Sequence, residues 1–324
     1  MSVLSRPYFH DEAAAFEHVE AVLWPEGATC PHCGCMGRIK ALGIQYTKPN
    51  KKGERKERHG LKKCYDCRKQ FTVRKGTIFE ESHIPMHKWL QAIYLMTSSK
   101  KGISSHQMSR TLEITVKSAW FLTHRIREAM RNGDFSPMGG KGKIIEADET
   151  YIGKREVDYV SPQRKGRPYI NKNGRGVANK LAVVSLVERG GSIRSFHVDH
   201  ATKAAVSKIV WDNVDRESAF YTDESRLYTD VRPKFAKSGM VKHSAKQYVD
   251  GDAHTNTLEG YYSVFKRGMK GVYQHCKEKH LHRYLAEFDF RYNNRIKLGC
   301  DDNERADRVL HAVVGKRLTY QRTS

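Results

Sequence analysis

The stretch IIEADETYI, residues 144–152, decides the fold of this chain. Its apolar, β-branched and aromatic residues predict a β-strand. The same reasoning predicts two more strands, a helix, a fourth strand and a second helix further along the chain. These elements cover residues 181–187, 193–198, 201–211, 218–222 and 257–268. Their order predicts an α/β domain in which a mixed sheet is flanked by helices.

Three acidic residues occupy three different elements of this predicted domain. Asp148 lies in the first strand, Asp223 ends the fourth strand, and Glu259 lies in the second helix. Carboxylates that converge from separate elements suit hard cations such as Mg²⁺ or Mn²⁺. Two such ions can activate the attacking oxygen and stabilise the leaving oxygen in phosphodiester chemistry. The three acids are therefore candidate ligands of two catalytic metal ions.

Neighbouring acids offer alternatives to the first two candidates. Glu146 shares the strand face of Asp148 and Glu149 lies on the opposite face, so an error in register would transfer the role. The tripeptide Tyr-Thr-Asp occurs a second time at Asp230, although the apolar strand leads into the first copy, at Asp223.

The third acid also has a structural alternative. Asn256 is a plausible helix start, and Glu259 three residues later would then bond back to the backbone as part of a capping box. Spacing alone does not decide between this role and catalysis. Asp250 and Asp252 are better explained as turn residues beside Gly251.

The charge of the chain predicts a polyanionic partner. Fifty-eight Lys and Arg against 36 Asp and Glu give a net charge of +22, which indicates nucleic acid. Residues 48–63 and 153–180 each carry eight basic and two acidic side chains. We predict that both loops contact DNA, with a solvated hairpin as the alternative for the second loop. The candidate contacts are Lys51, Lys52, Lys56, Arg58, Lys154, Arg155, Arg164, Lys165, Arg167 and Arg175.

Five of the seven cysteines lie within 38 residues and predict a structural zinc site. Cys30 and Cys33 form one Cys-x-x-Cys turn and Cys64 and Cys67 another, which is the spacing that grips one tetrahedral ion. Cys35 could replace Cys33, and reduced thiols are the alternative to a metal. Four thiolates leave no open position for water, so a catalytic zinc is not expected.

Residues 84–131 predict three short helices. Ser104 or Ser105 can cap the second, a turn falls near residues 113–115, and Thr115 can cap the third. The pattern predicts a helix-turn-helix, with a plain three-helix packing unit as the alternative. The apolar stripe of the third helix leaves its basic side chains exposed in this interpretation. The predicted DNA contacts among them are Lys117, Arg125 and Arg127.

Other sequence features narrow the class of protein. A chain with 39% apolar residues can build a core, and no stretch approaches the ~20 apolar residues of a membrane span. The N-terminus lacks the layout of a secretory signal, and an odd number of cysteines argues against a disulfide framework. No phosphate-binding glycine motif or nucleophile elbow is present. We therefore expect a cytoplasmic, nucleoid-associated protein.

Three blocks of the sequence resemble a known family. EADETYIGK (146–154), YTDESRLY (221–228) and HTNTLEGYYSVFKRG (254–268) resemble the signature blocks of the DDE transposases of bacterial insertion sequences. The resemblance includes the N-terminal zinc ribbon of one group of them. It implies a ribonuclease H-like fold, with Asp148, Asp223 and Glu259 as the catalytic acids.

The resemblance also implies a catalytic role for a basic side chain. Lys266 matches a family position, and seven residues along a helix return to nearly the same face as Glu259. A basic side chain there can contact a DNA phosphate beside the metal ions. Lys266 and the adjacent Arg267 are therefore also candidate DNA contacts.

The implied organisation is a zinc ribbon and a helix-turn-helix that bind the element ends, followed by a catalytic domain. Its implied activity is metal-dependent strand cleavage at those ends and joining of the 3′-hydroxyls to target DNA by at least a dimer. A related nuclease without strand transfer and a catalytically silent DNA-binding regulator remain alternatives. The predicted segments are 1–82, 83–132, a linker at 133–143, the catalytic domain at 144–300 with a basic insertion at 153–180, and a helical tail at 301–324.

Overall fold

The computed structural model describes residues 2–49, 52–131, 133, 136–155, 177, 179–241 and 254–318. The chain divides into two compact units. The first comprises Met1–Ser99, Ile103–Met130 and Asp301–Ser324, and the second comprises Lys100–Gly102 and Arg131–Cys300. The predicted zinc-ribbon region, helix-turn-helix and C-terminal tail all contribute to the first unit. The predicted catalytic domain forms most of the second.

The described helices and strands are numbered here in chain order. The α-helices are α1 (Glu12–Leu23), α2 (Met86–Ser98), α3 (Ser105–Leu112), α4 (Val116–Ala129), α5 (Lys203–Asn213), α6 (Asn256–Gly268), α7 (Leu281–Asn293) and α8 (Asp302–His311). The strands are β1 (Ile39–Ala41), β2 (Lys62–Cys64), β3 (Gln70–Phe71), β4 (Ile144–Ile152), β5 (Leu181–Glu188), β6 (Ile193–Val198), β7 (Ala219–Asp223) and β8 (Lys237–Val241).

The first unit combines a small antiparallel sheet, in the order β1-β2-β3, with the helices α1, α2, α3, α4 and α8. Local capping explains where α3 and α4 begin and where the chain turns between them. Ser104 accepts a hydrogen bond from the N–H of Gln107 at the start of α3, and Thr115 accepts one from Ser118 at the start of α4. Between them Glu113 adopts a left-handed conformation with φ of 51°. The turn therefore falls at residues 113–115, as predicted.

The prediction that Arg125 and Arg127 are exposed is wrong. Their exposed fractions are 6% and 1%. Nη1 of Arg125 donates to the carbonyls of Ile78 and Glu80, each at 2.7 Å, so this guanidinium ties α4 to a distant segment. The prediction was based on a single apolar stripe, which indicates that only one face of α4 is buried. Chain segments from residues 78–80 and from the C-terminus cover its second face.

The second unit is built on a five-stranded sheet in the order β6-β5-β4-β7-β8. Strands β4, β5 and β6 are antiparallel neighbours, whereas β7 is parallel to β4 and β8 is parallel to β7. This mixed topology, with β4 at the centre, is ribonuclease H-like. Strand β8 was not predicted, because the sequence KSGMV at this sheet edge has no clear alternation.

Helices cover both faces of this sheet. On one face α6 and α7 pack Leu258, Phe265 and Phe288 against β5, and on the other α5 packs Val206 and Val210 against β4, β5 and β7. Tyr261, Tyr262 and Phe265 belong to the first core cluster and are therefore core residues. None of the helices in the described ranges has the length and apolar content needed to cross a bilayer.

Candidate active site and metal centres

Two of the predicted catalytic acids lie side by side on the sheet. Ala147 of β4 pairs with Thr222 of the parallel strand β7, so the next residues, Asp148 and Asp223, stand at the same level. One carboxylate oxygen from each of Asp148, Glu149 and Asp223 lies within 4.8 Å of the others. Hard oxygen donors in this number suit Mg²⁺ or Mn²⁺.

The electrostatics of Asp148 show how closely these acids approach. Burial, followed by the negative charges of Asp223, Glu149 and Glu259, raises the pKa of Asp148 to about 8. The N–H of Glu149 donates to Oδ1 of Asp148 at 2.8 Å and offsets part of this effect. A divalent cation would relieve the repulsion and favour the ionised form. The residues present therefore fit a divalent metal.

The sequence offers Glu149 only as a substitute for Asp148, whereas the structure brings both residues into the group. Strand alternation places it on the face opposite Asp148, but its longer side chain brings a carboxylate oxygen into the group. The hydroxyl of Ser225 donates to Oε1 of Glu149 at 3.1 Å. Burial and the charge of Asp223 raise the pKa of Glu149. Its position directly after Asp148 was the available signal.

Glu259 stands apart from the other three acids. It is exposed in the first turn of α6, and within the described chain it does not belong to the 4.8 Å group. Its charge nevertheless contributes to the raised pKa of Asp148, and the hydroxyl of Tyr262 donates to the Asp148 carbonyl at 2.7 Å. Helix α6 thus carries Glu259 alongside strand β4.

The alternatives for the second and third acids are also resolved by position. Helix α6 is capped at Thr255 rather than Asn256, so Glu259 does not occupy the third helical position that a capping box requires. Asp230 forms an exposed ion pair with Lys203 at 3.2 Å. The structure therefore favours Asp223 over Asp230.

The four predicted zinc ligands form a closed cluster. The Sγ atoms of Cys30, Cys33, Cys64 and Cys67 lie within 4.8 Å of one another, and the Cys30–Cys67 and Cys33–Cys64 pairs are 3.7 Å apart. Sulfurs bound at about 2.3 Å to a tetrahedral zinc lie ~3.8 Å apart, so the site fits zinc. Backbone N–H groups, that of Cys67 first, lower the pKa of Cys64 to about 7 and favour the thiolate.

Cys35 lies next to this cluster. Its Sγ approaches Cys64 and Asp66 within 4.8 Å but does not belong to the four-cysteine group. The structure therefore favours Cys33 over Cys35 as the fourth ligand.

Arg125 and Arg127 are buried, and the other predicted DNA contacts divide into three sets. Arg155 is half-buried, pairs with Glu278 at 3.4 Å and donates to the Asp199 carbonyl, so it anchors the base of the basic insertion. Lys51, Arg164, Lys165, Arg167 and Arg175 lie outside the described residues. The exposed set comprises Lys52, Lys56, Arg58, Lys117, Lys154, Lys266 and Arg267. The ammonium of Lys266 lies 5.9 Å from the centre of the Tyr262 ring.

Comparisons with known proteins assign both parts of the chain. Residues 139–293 match the family model of an ISXO2-like transposase domain, and residues 10–70 match that of a transposase zinc-ribbon domain. An uncharacterized protein in transposable element ISH50 of Halobacterium salinarum is 26% identical over 292 residues, covering 87% of this chain and 91% of that protein.

Two solved structures show weaker similarity. One is a simian T-cell lymphotropic virus intasome in complex with PP2A regulatory subunit B56 gamma, with 12% identity, a TM-score of 0.26, and coverage of 56% of this chain and 63% of that one. The other is the Mos1 strand transfer complex, with 14% identity, a TM-score of 0.22, and coverage of 65% and 76%.

The family assignment follows from the sequence matches. Both matching models describe transposase domains, and they fall on the four-cysteine cluster and on the sheet that carries the acids. The chain therefore carries an ISXO2-like transposase domain and a transposase zinc-ribbon domain, and it matches the DDE transposases of insertion sequences that have an N-terminal zinc ribbon.

Proposed function

We propose that this transposase binds the ends of its insertion sequence, cleaves the DNA there and joins the liberated 3′-hydroxyls to target DNA. The observation that carries this proposal is the position of Asp148 and Asp223 directly after the paired residues Ala147 and Thr222 of two parallel strands, with Glu259 close enough to raise the pKa of Asp148. Carboxylates gathered in this way have no role in packing a hydrophobic core. They suit divalent cations in phosphodiester chemistry.

Asp148, Asp223 and Glu259 would hold two Mg²⁺ or Mn²⁺ ions. Such ions, when bound, lower the pKa of an attacking water or hydroxyl and stabilise charge on the leaving oxygen. Glu149 is in place to add a fourth carboxylate on the Asp223 side. Lys266 lies on the face of α6 that also carries Glu259 and would bind a phosphate beside the acids.

The exposed basic residues would bind the DNA backbone. Lys117 lies in the first turn of α4, the end of a recognition helix that enters the major groove in helix-turn-helix proteins. The burial of Arg125 and Arg127 removes both from this surface. Joining two ends to one target requires at least two active sites, so we propose a homodimer or larger assembly. Its site of action would be cytoplasmic DNA.

A plasmid integration assay tests the proposed activity. Pre-cut duplexes from the two ends of the element are incubated with supercoiled plasmid, Mg²⁺ and either the wild-type chain or the Asp148→Asn variant. The wild type should insert the duplexes covalently into the plasmid, and the variant should insert none. Plasmid nicking without joined product would support the nuclease alternative, and inactivity of the wild type would support the silent regulator.

A further inference from the structure

The buried carboxylate of Glu146 holds the beginning of helix α6. Glu146 lies in β4 two residues before Asp148, on the same strand face, and is 0% exposed. Its Oε2 accepts hydrogen bonds from the N–H groups of Thr257 at 3.1 Å and Leu258 at 3.3 Å. Its Oε1 accepts one from the Thr257 hydroxyl at 2.8 Å. Strand β4 and the first turn of α6 are thereby joined through one side chain.

This contact replaces a local helix cap. The first N–H groups of a helix have no partners within it, and a side chain at the preceding residue usually accepts from one of them. Thr255, which occupies that position in α6, makes no such side-chain hydrogen bond. Glu146 supplies the acceptor from another element, and its negative charge suits the positive end of the helix.

Arg189 completes the arrangement. Its Nε donates to Oε1 of Glu146 at 2.6 Å, and its Nη2 donates to the carbonyl of His254 at 3.0 Å. The guanidinium also lies 5.3 Å from the centre of the Tyr221 ring in β7. A carboxylate removed from water needs such a partner, since an unpaired buried charge is costly. The Glu146–Arg189 pair therefore connects β4, β7 and the segment that enters α6.

We propose that Glu146 is a positioning residue that sets the place of Glu259 relative to Asp148. Glu146 accepts a hydrogen bond from the N–H of Leu258, and Glu259 is the next residue along the chain. The Glu146–Arg189 pair therefore fixes the helical turn that carries the third acid. Asp148 lies on the same strand as Glu146. Strand β4 therefore carries both the first acid and the residue that positions Glu259. This inference rests on the proposed function.

Two variants separate positioning from general stability. Glu146→Gln removes the charge and replaces one acceptor oxygen with a donor. Glu287→Gln is the matched control, because Glu287 is also 0% exposed and pairs with an arginine, Arg291, but it lies in α7. Thr257→Val is a milder variant that removes only the hydroxyl bonded to Glu146.

Amide hydrogen exchange and Mn²⁺ binding are then measured on the full chain. In Glu146→Gln the amides of Thr257 and Leu258 should exchange about 10-fold faster or more, because their acceptor is weakened. Mn²⁺ affinity, followed by electron paramagnetic resonance, should fall about 10–100-fold, as for losses of outer support around metal ligands. Thr257→Val should show a smaller change in the same direction, and Glu287→Gln should leave both quantities unchanged.

Amide exchange and Mn²⁺ affinity test different parts of the proposal. Unchanged exchange of the two amides in both Glu146→Gln and Thr257→Val would overturn the proposal. Faster exchange with unchanged Mn²⁺ affinity would also overturn it, because the helix end would then be held without setting the metal site. Absence of Mn²⁺ binding by the wild type would contradict the proposed function, while the exchange rates would still decide whether Glu146 holds the helix.

Discussion

At the residue scale, the protonation of Asp148 controls the candidate metal site. Its pKa of about 8 lies above the ordinary 3.8, so the metal-free site holds a proton at neutral pH that a cation must displace. We predict that Mg²⁺ affinity rises up to about tenfold per pH unit between pH 6 and 8 and levels off above pH 8. Calorimetric titrations in buffers of different ionisation enthalpy measure both the affinity and the released proton. An affinity that is constant over this range would contradict the prediction.

The buried arginine Arg125 gives a second prediction at this scale. Arg125→Ala should lower the free energy of unfolding by about 2–4 kcal/mol, because the carbonyls of Ile78 and Glu80 lose their donor. Lys117→Ala on the same helix is the control, since Lys117 is exposed. It should change stability by less than ~0.5 kcal/mol and weaken DNA binding instead. Urea unfolding and filter binding compare the two variants, and equal stability would refute the structural role of Arg125.

At the scale of elements, a zinc ion bound by the four cysteines would organise β1, β2 and β3. A sheet with so few residues has a small core, around Cys30, Cys64 and Phe71, so we expect the metal to supply much of its folding free energy. Cys64→Ser should release zinc and unfold this sheet, as followed by metal analysis and proteolysis. Cys35→Ser should retain one zinc per chain. Loss of zinc from the Cys35 variant would show that Cys35, rather than Cys33, is the ligand.

The elements that were predicted from the sequence are those with strong local signals. Strand β4 is rich in β-branched and apolar residues, and Ser104 and Thr115 cap their helices through bonds to residues three positions away. Strand β8 lacks such a pattern and is formed by pairing with β7. The burial of Arg125 depends on partners 45 or more residues distant, which a helical stripe does not reveal.

The site was predictable to a similar extent. The positions of Asp148 and Asp223 follow from two strands and their order. Glu149 belongs to the group of acids because its carboxylate lies near those of Asp148 and Asp223. Glu146 caps helix α6 through Thr257, which is 111 residues away in the sequence. Strand alternation places side chains on faces but does not state their tertiary contacts.

At the scale of the whole molecule, DNA binding and cleavage should separate. Asp148→Asn should abolish cleavage while the affinity for element ends and its steep salt dependence persist, because the variant leaves untouched the exposed basic residues that we propose bind phosphates. Binding is measured by fluorescence anisotropy at several salt concentrations, and cleavage on the same labelled duplexes. Cleavage by Asp148→Asn at the wild-type rate would show that Asp148 is not a catalytic residue.

The most direct test of the account is to locate the metal ions. Crystals soaked in Mn²⁺ are measured at the manganese absorption edge, and anomalous difference maps show each bound ion. We predict two peaks about 3.5–4 Å apart that are coordinated by the carboxylates of Asp148, Asp223 and Glu259. Manganese held by Asp148, Glu149 and Asp223 with Glu259 remote from it, or no manganese at these acids, would contradict the account.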